Sequence, residues 1–287
     1  MLTGDMGGSV SMLAVVRAAV AAELRYGSRD FRAASDLARN LPYAPSVSAL
    51  AGNVARHPSL IRAFVAVWRL PVVDLRVQRA DADAWPGAHF APACRGRLAQ
   101  AVLELPVAER DYLAGRSRQA LRTNLRHARE RGVTSARVRS YEAWSEAASV
   151  IMAARPDGRR AGREMRKPEP GQQVAYYVAR DADQTPLAFA AVALFGPFAV
   201  LVNLLSHPGR PPGASWARYQ LHTCLALDLG RAGVGHLLVG SALRETAGNQ
   251  HFQHLLGYRA RNLRVEVTGP GALLRNPSRA RLRMRQA

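Results

Sequence analysis

His207–Tyr219, HPGRPPGASWARY, is the stretch on which the fold turns. It follows a long apolar run, Leu187–Leu205, and precedes a segment with helical character, Trp216–Arg231. A Gly- and Pro-rich turn that leads from a strand end into a helix start leaves backbone N–H groups unpaired. Those groups and the positive end of the helix dipole make a seat for an anion such as a phosphate.

Working outward, Leu187–Ser206 has about the ~20-residue length of a bilayer span. Gly196-Pro197 interrupts its middle, Asn203 sits near its end, and Val, Phe and Leu dominate. Two buried strands joined by a tight turn at Phe195–Phe198 fit better. Val174–Ala179 and the turn Asp181–Thr185 complete an antiparallel meander. Downstream, the helix Trp216–Arg231 stops at Gly233 or Gly235. A strand His236–Val239, a helix Asn249–Leu256 and a strand Tyr258–Val267 follow. Upstream, Arg116–Arg131 reads as a helix ended by Gly132, with Leu121, Leu125 and Ala128 on one stripe and Arg118, Arg122, Arg126 and Arg129 on another. The arginine stripe is either a solvated face or a nucleic-acid or anion contact. Thr134–Ser140 is a strand, and Tyr141–Ala154 a helix with Trp144, Ala148 and Ile151 inward. Arg155–Gln172 is a polar loop, a substrate lid or a linker.

Three domains are expected. Residues 1–105 form a mainly helical region, with helices over Ser9–Arg25, Ser28–Arg39 and Ser59–Arg69, strands over Val72–Val77 and Leu98–Leu105, and a loop over Asp81–Arg97. Residues 106–268 form the catalytic unit, and residues 269–287 a basic tail. The 287 residues carry 40 Lys+Arg against 21 Asp+Glu, a net charge of +19. Codon usage in a GC-rich genome explains arginine over lysine but not base over acid, so a polyanionic partner is the other reading. Cys94 and Cys224 are too far apart in sequence for a metal motif. Free thiols and a cytoplasmic location are expected. The N-terminus lacks a signal-peptide pattern.

The order strand, helix, three antiparallel strands, Gly-containing turn, helix, strand, helix, strand resembles the GCN5-related N-acetyltransferase (GNAT) superfamily over about residues 110–267. Arg210-Pro-Pro-Gly213-Ala-Ser215 is similar to its pyrophosphate loop. His236–Ala242, Asn249 and Leu256-Gly257-Tyr258 are similar to its fifth strand, a cofactor-arm Asn and its "LGF/Y" ending. The basic helix with Arg131-Gly132-Val133 is similar to the Fem-type aminoacyl transferases, a branch of this fold. The resemblance implies an α/β (α+β) fold, with a central mixed, mostly antiparallel sheet flanked by helices. It also implies transfer of an acyl group from acyl-CoA to a small-molecule or peptide amine, with no metal. Arg210, Gly213, Ala214, Ser215, Trp216 and Asn249 would hold the cofactor. The sequence departs from the pattern at Pro211 and Pro212, which carry no N–H, at bulky Trp216, and at Gln253, where the family often has an acidic Tyr.

Acyl transfer to an amine needs a base, an N–H to polarise the carbonyl, and a proton for the leaving group. The open seam of this fold would place the polarising amide at Leu204–Leu205. His207 is the nearby side chain that titrates around neutrality and so the candidate base, or else a turn residue before Pro208. Asn203 bridges splayed strands or touches substrate. Ser241 and Asn249 either bond a ligand or cap their elements, and His222 is a face or core residue. His251 and His254 lack an acidic or thiol partner for a metal. An aminoacyl-tRNA-dependent transferase, with the arginine stripe and tail on the tRNA, and a non-catalytic binding module are the alternatives. The oligomeric state is open, a dimer included.

Overall fold

The computed structural model describes Phe31, Arg32, Ser35, Val67 and residues 70–78, 99–155, 171–209, 213–243 and 245–269. The expected first and third helices (apart from Val67), most of the second, the loop at 81–97 with Cys94, residues 156–170, Arg210, Pro211, Pro212 and the tail beyond Gly269 lie outside the described residues.

Eight strands form one sheet in the order β1-β8-β2-β7-β6-β5-β4-β3. They are β1 (Val72–Gln78), β2 (Gln100–Glu104), β3 (Thr134–Val138), β4 (Val174–Arg180), β5 (Pro186–Phe195), β6 (Phe198–Ser206), β7 (His236–Ser241) and β8 (Arg259–Thr268). The pairs β1/β8 and β6/β7 are parallel and the other five antiparallel. The helices are α1 (Glu109–Tyr112), α2 (Gln119–Glu130), α3 (Tyr141–Ala153), α4 (Gly213–Arg231) and α5 (Ala247–Leu256). This is the expected α+β architecture, a mixed and mostly antiparallel sheet flanked by helices.

Strand periodicity sorts the two faces. Ala175, Tyr177 and Ala179 of β4, with Ala188, Ala190 and Val192 of β5, face the cluster that holds Leu121 and Leu125 of α2 and Leu221, Leu225 and Leu229 of α4. Tyr176 and Val178, with Phe189 and Ala191, face Trp144, Ala148 and Ile151 of α3. Alanine at three of the inward positions of β5 and β4 on the α4 side lets a 19-residue helix lie close to the sheet. On the other face, the Trp144 indole N–H donates to the Ala190 carbonyl at 3.0 Å, so the largest side chain of α3 satisfies its donor while buried. Ser140 caps α3 by accepting from the Ala143 N–H at 3.2 Å.

The boundary expected at residue 105 runs through the sheet. β2 lies between β7 and β8, and β1 pairs in parallel with β8. Asn262 on β8 reinforces the join: its Oδ1 accepts from the Ala99 N–H at 3.0 Å and its Nδ2 donates to the Val67 carbonyl at 3.1 Å. Backbone ladders are the strongest contacts a short strand has, so residues 70–78 and 99–105 belong to the same body as β7 and β8. No helix among the described residues is long and apolar enough to cross a membrane.

Candidate active site

β6 and β7 pair over three positions, Phe198 with His236, Ala199 with Leu237 and Val200 with Leu238. Beyond these the two parallel strands part, although β6 runs on to Ser206 and β7 to Ser241. The cause is local. Against β5 the register moves from Val192–Leu201 to Ala191–Asn203, so Val202 is an extra residue on β6. Such a bulge bends its strand and raises the local twist. It turns the far half of β6 away from β7 and opens a wedge-shaped seam. α4 crosses from the end of β6 back to the start of β7, and its N-terminus begins beside the wide end of that seam.

Hydrogen-bond alternation decides which backbone groups face the gap. The His207 N–H donates to the Leu187 carbonyl at 2.8 Å. In an antiparallel ladder the bonded pairs recur every second residue, so Leu205 and Asn203 also turn their N–H toward β5. Leu204 and Ser206 turn theirs away, into the seam. Of the expected pair Leu204–Leu205, Leu204 carries the amide that faces the opening, and Leu205 points its own into the ladder. The Ser206 carbonyl, also turned away from β5, accepts from Arg155 Nη1 at 3.4 Å.

On the α3 face one row of register partners crosses three strands: Tyr176, Ala191 and Asn203. The middle residue is small and the outer two are polar. Both are 8% exposed, and neither the Tyr176 hydroxyl nor Asn203 Oδ1 has a hydrogen-bond partner. Buried polar atoms are nearly always satisfied, so two orphans on one row, at the strand that borders the seam, mark a place that a ligand's polar groups fit. Burial pushes the Tyr176 hydroxyl up to about 12, with the Tyr141 and Glu142 charges adding to the shift. The phenol is therefore a proton-bearing donor at neutral pH. Tyr141 and Trp144 stand 6.0 and 5.1 Å from the Tyr176 ring and hold it from the α3 side.

The expected anion turn is shorter than its sequence suggests, because α4 begins at Gly213. Gly213, Ala214, Ser215 and Trp216 are its first turn, and their N–H groups are those that an α-helix leaves without an intrahelical acceptor. Arg210 lies outside the described residues. The Trp216 ring packs toward α2, 5.2 Å from the His127 ring and beneath the Arg131 guanidinium at 5.4 Å. Asn249 is exposed on the first turn of α5, where Thr246 is the cap and the Asn249 Nδ2 donates to Glu245 at 2.9 Å. His207 Nδ1 accepts from the Gly209 N–H at 3.1 Å, which places the ring proton on Nε2. The nitrogen able to act as a base is thus already occupied by the turn.

The arginine stripe of α2 is partnered within the fold. Arg118 donates to the Leu255 carbonyl at 3.0 Å and lies 5.2 Å over the Tyr112 ring. Arg122 donates to the carbonyls of Leu113 and Gly115 at 2.6 and 2.8 Å. Arg126 pairs with Glu130 at 3.7 Å, and Arg129 with Glu109 at 2.5 Å. The seeming lack of acid on this stripe comes from reading the helix alone, since Glu109 reaches it from α1. His222 is a core residue. Its Nε2 lies 2.8 Å from the Tyr258 hydroxyl and its Nδ1 3.4 Å from that of Tyr112, which itself donates to the Leu256 carbonyl at 3.0 Å. Cys224 is a free thiol whose pKa is pushed up to about 11, chiefly by burial and also by Asp228. Among the described residues no three His, Cys, Asp or Glu side chains gather as a metal site.

Tyr176, Arg155 and Arg218 are the residues of this region that the sequence did not single out. Tyr176 reads as an ordinary strand aromatic, and its role appears only through the register. Arg218 has a sequence signal, a charge one turn from His222 on an otherwise apolar side of α4.

No protein-family model matches the chain, and no curated protein matches it. Three similar solved structures are the C-terminal domain (DUF2156) of a provisionally assigned lysylphosphatidylglycerol synthetase from Agrobacterium fabrum (14% identity, TM-score 0.43), the L-PGS of Bacillus licheniformis (14%, 0.40), and a GCN5-related N-acetyltransferase from Kribbella flavida (20%, 0.31). The matches cover 57%, 56% and 57% of this chain and 57%, 57% and 54% of those chains, so little more than half of each partner's length is spanned. A GCN5-related N-acetyltransferase is thus among the proteins to which this chain is similar.

Proposed function

We propose that this protein is a cytoplasmic N-acyltransferase that moves an acyl group from an acyl-CoA to an amine. The observation that carries the reading is the parting of β6 from β7 after Val200 and Leu238, beside the N-terminus of α4. An open parallel seam of this kind is costly to leave unfilled, because its backbone groups have lost their ladder partners. A thin amide-bearing chain, such as the pantetheine arm of CoA, can stand in for the missing strand.

The donor supplies a thioester carbonyl. The Leu204 N–H, facing the seam, is placed to polarise that carbonyl and to hold the oxyanion as the amine adds. The first-turn amides of α4 suit the pyrophosphate. Asn203 Oδ1 accepts an N–H of the acceptor amine and so aims its lone pair, and the Tyr176 hydroxyl donates to a polar group of the acceptor. A C–N bond forms and the C–S bond breaks. The proton lost from the amine balances the departing thiolate. With Gln253 buried on α5 and His207 Nδ1 engaged by Gly209, water is assigned the proton transfer.

Gly213→Asp tests the reading. A Cβ at Gly213 would meet only the Leu187 Cδ1, at 3.9 Å, so the variant has room to fold. Its carboxylate repels a pyrophosphate at the α4 N-terminus. Calorimetric titration with acetyl-CoA and longer acyl-CoAs should show binding in the wild type and none in the variant. Binding that survives the substitution would remove the α4 turn from the site, and a wild type that binds no acyl-CoA would remove the function.

An aminoacyl-tRNA donor is the second reading, favoured by the net charge of +19. The internal partners of Arg118, Arg122, Arg126 and Arg129 reduce its support, since those groups are engaged within the fold.

A further inference from the structure

Arg218 occupies an unusual setting for a cation. It stands in the second turn of α4, one turn before His222, on the side that meets α5. Its guanidinium carbon lies 4.3 Å from the centroid of the Phe252 ring, and its Nε is buried without a hydrogen-bond partner. No carboxylate among the described residues pairs with it. Burial lowers its pKa. The Tyr219 phenol opposes that shift, and the positive charge of Arg155 adds to it. Arg155 is itself held at the end of β6 by the Ser206 carbonyl, at the wide end of the seam.

Two guanidinium groups that repel each other in a partly dehydrated place are unfavourable unless an anion compensates them. The Phe252 face supports one side of the Arg218 plane and leaves its edge, with Nε, open for a forked contact. Planar, forked donors suit the oxygens of a phosphate or carboxylate.

We propose that Arg218, with Arg155, forms an oxyanion-binding site at the wide end of the seam, which takes the phosphate or carboxylate of a small ligand bound there. The place of the site rests on reading the seam as the ligand cleft. The chemistry rests on the two arginines alone. The ligand's source is one of two: a phosphate of the donor, or a carboxylate on the acceptor.

Thermal unfolding at fixed ionic strength, with chloride exchanged for inorganic phosphate, pyrophosphate or succinate, tests it. The wild type should gain stability with one of these anions in a saturable way. Arg218→Gln should need about tenfold more of it for half the effect, the loss expected of one charge-assisted pair. Arg155→Gln should shift the same way by less. Arg264→Gln, which removes an exposed arginine paired with Asp74 on β1, controls for net charge and should respond as the wild type does. A preference for phosphate and pyrophosphate assigns the site to the donor, and a preference for succinate to the acceptor. If Arg218→Gln fails to fold, Arg218→Lys keeps the charge without the fork and should still weaken the response several-fold.

Equal responses in wild type, Arg218→Gln and Arg264→Gln would overturn the site, as would a wild type indifferent to all three anions. A saturable, Arg218-dependent anion response without acyl-CoA binding would keep the site and sink the CoA donor. Acyl-CoA binding without the anion response would do the reverse.

Discussion

Asn203 is the point where stability and function pull apart. Its Oδ1 is buried with no partner on a row otherwise lined by Ala191 and Tyr176, and a buried unsatisfied acceptor costs about 1–3 kcal/mol. Asn203→Leu removes that penalty and adds apolar surface of similar size against the α3 cluster. Its melting temperature should rise by a few degrees, roughly what 1 kcal/mol gives in a domain of this size, while acyl transfer falls at least about tenfold as the acceptor loses its hydrogen bond. Thermal unfolding and a turnover assay on the same preparation read both signs. A variant that is less stable and fully active would mean that Asn203 is structural. His222 acts through the core instead. Its folded pKa is pushed down to about 3 from 6.5, first by burial and then by the charges of Arg118 and Arg218. Between those values the unfolded chain binds the proton and the native state refuses it. Stability is thus present above pH 6.5 and falls as the pH drops below it, by up to about 1.4 kcal/mol per pH unit from this group. His222→Gln should be less stable than the wild type at pH 7.5, yet lose less on going to pH 5. Urea midpoints at the two values check it, and equal losses in both proteins would place the acid sensitivity elsewhere.

At the scale of elements, α4 sets the shape of the site through its ends. Its last turn lies directly on the chain that leaves β2: a Cβ at Gly230 would overlap the Pro106 carbonyl oxygen. Gly230→Ala must push either α4 or the Pro106 backbone away, and should destabilise by about 1–3 kcal/mol, as overpacking does. Because α4 is rigid, that shift should also reach its first turn and weaken donor binding. Denaturant unfolding with a donor titration reads both effects, and a variant as stable as the wild type would show that the contact yields freely. Much of this element pattern is legible in the sequence. The meander expected at Val174–Ala179, Leu187–Phe195 and Phe198–Leu205 appears as β4, β5 and β6 within a residue at each end, because apolar runs bounded by Asp-Ala-Asp and Gly-Pro turns leave little choice. The start of α4 is less legible. Gly213 looks like part of a loop, yet the helix takes it in, since a glycine at a first helical turn is set by its neighbours and not by its own preference. The bulge at Val202 has no local signature at all. It is a mismatch between β5 and β6, and only the pairing displays it. For the same reason the insertion of β2 between β7 and β8 is invisible in a sequence read along its length. So is the alignment of Tyr176 with Asn203, residues from strands that are not neighbours.

For the whole molecule, the excess of base over acid is the property that best separates the two donors. A net charge of +19 draws in any polyanion, so weak binding of RNA at low salt would say little about function. The dependence on salt says more. A nucleic acid that lies along a basic surface releases condensed counterions, and six to ten phosphate contacts lose about 10³–10⁵ in affinity between 50 and 200 mM salt. Acyl-CoA has no such counterion layer and, in this reading, is held chiefly by backbone groups of the seam and the first turn of α4. Its affinity should therefore fall far less over the same range, while any binding of uncharged tRNA falls steeply. The two ligands should also differ in their response to Gly213→Asp, which faces the donor end of the seam and leaves the arginines of α2 untouched. Acyl-CoA binding should vanish in that variant and RNA binding remain. Fluorescence titrations at 50 and 200 mM salt, on wild type and Gly213→Asp, give all the comparisons needed. If RNA binding persists at 200 mM salt and is the one abolished by Gly213→Asp, the seam receives the end of a charged tRNA, and the protein transfers aminoacyl groups instead.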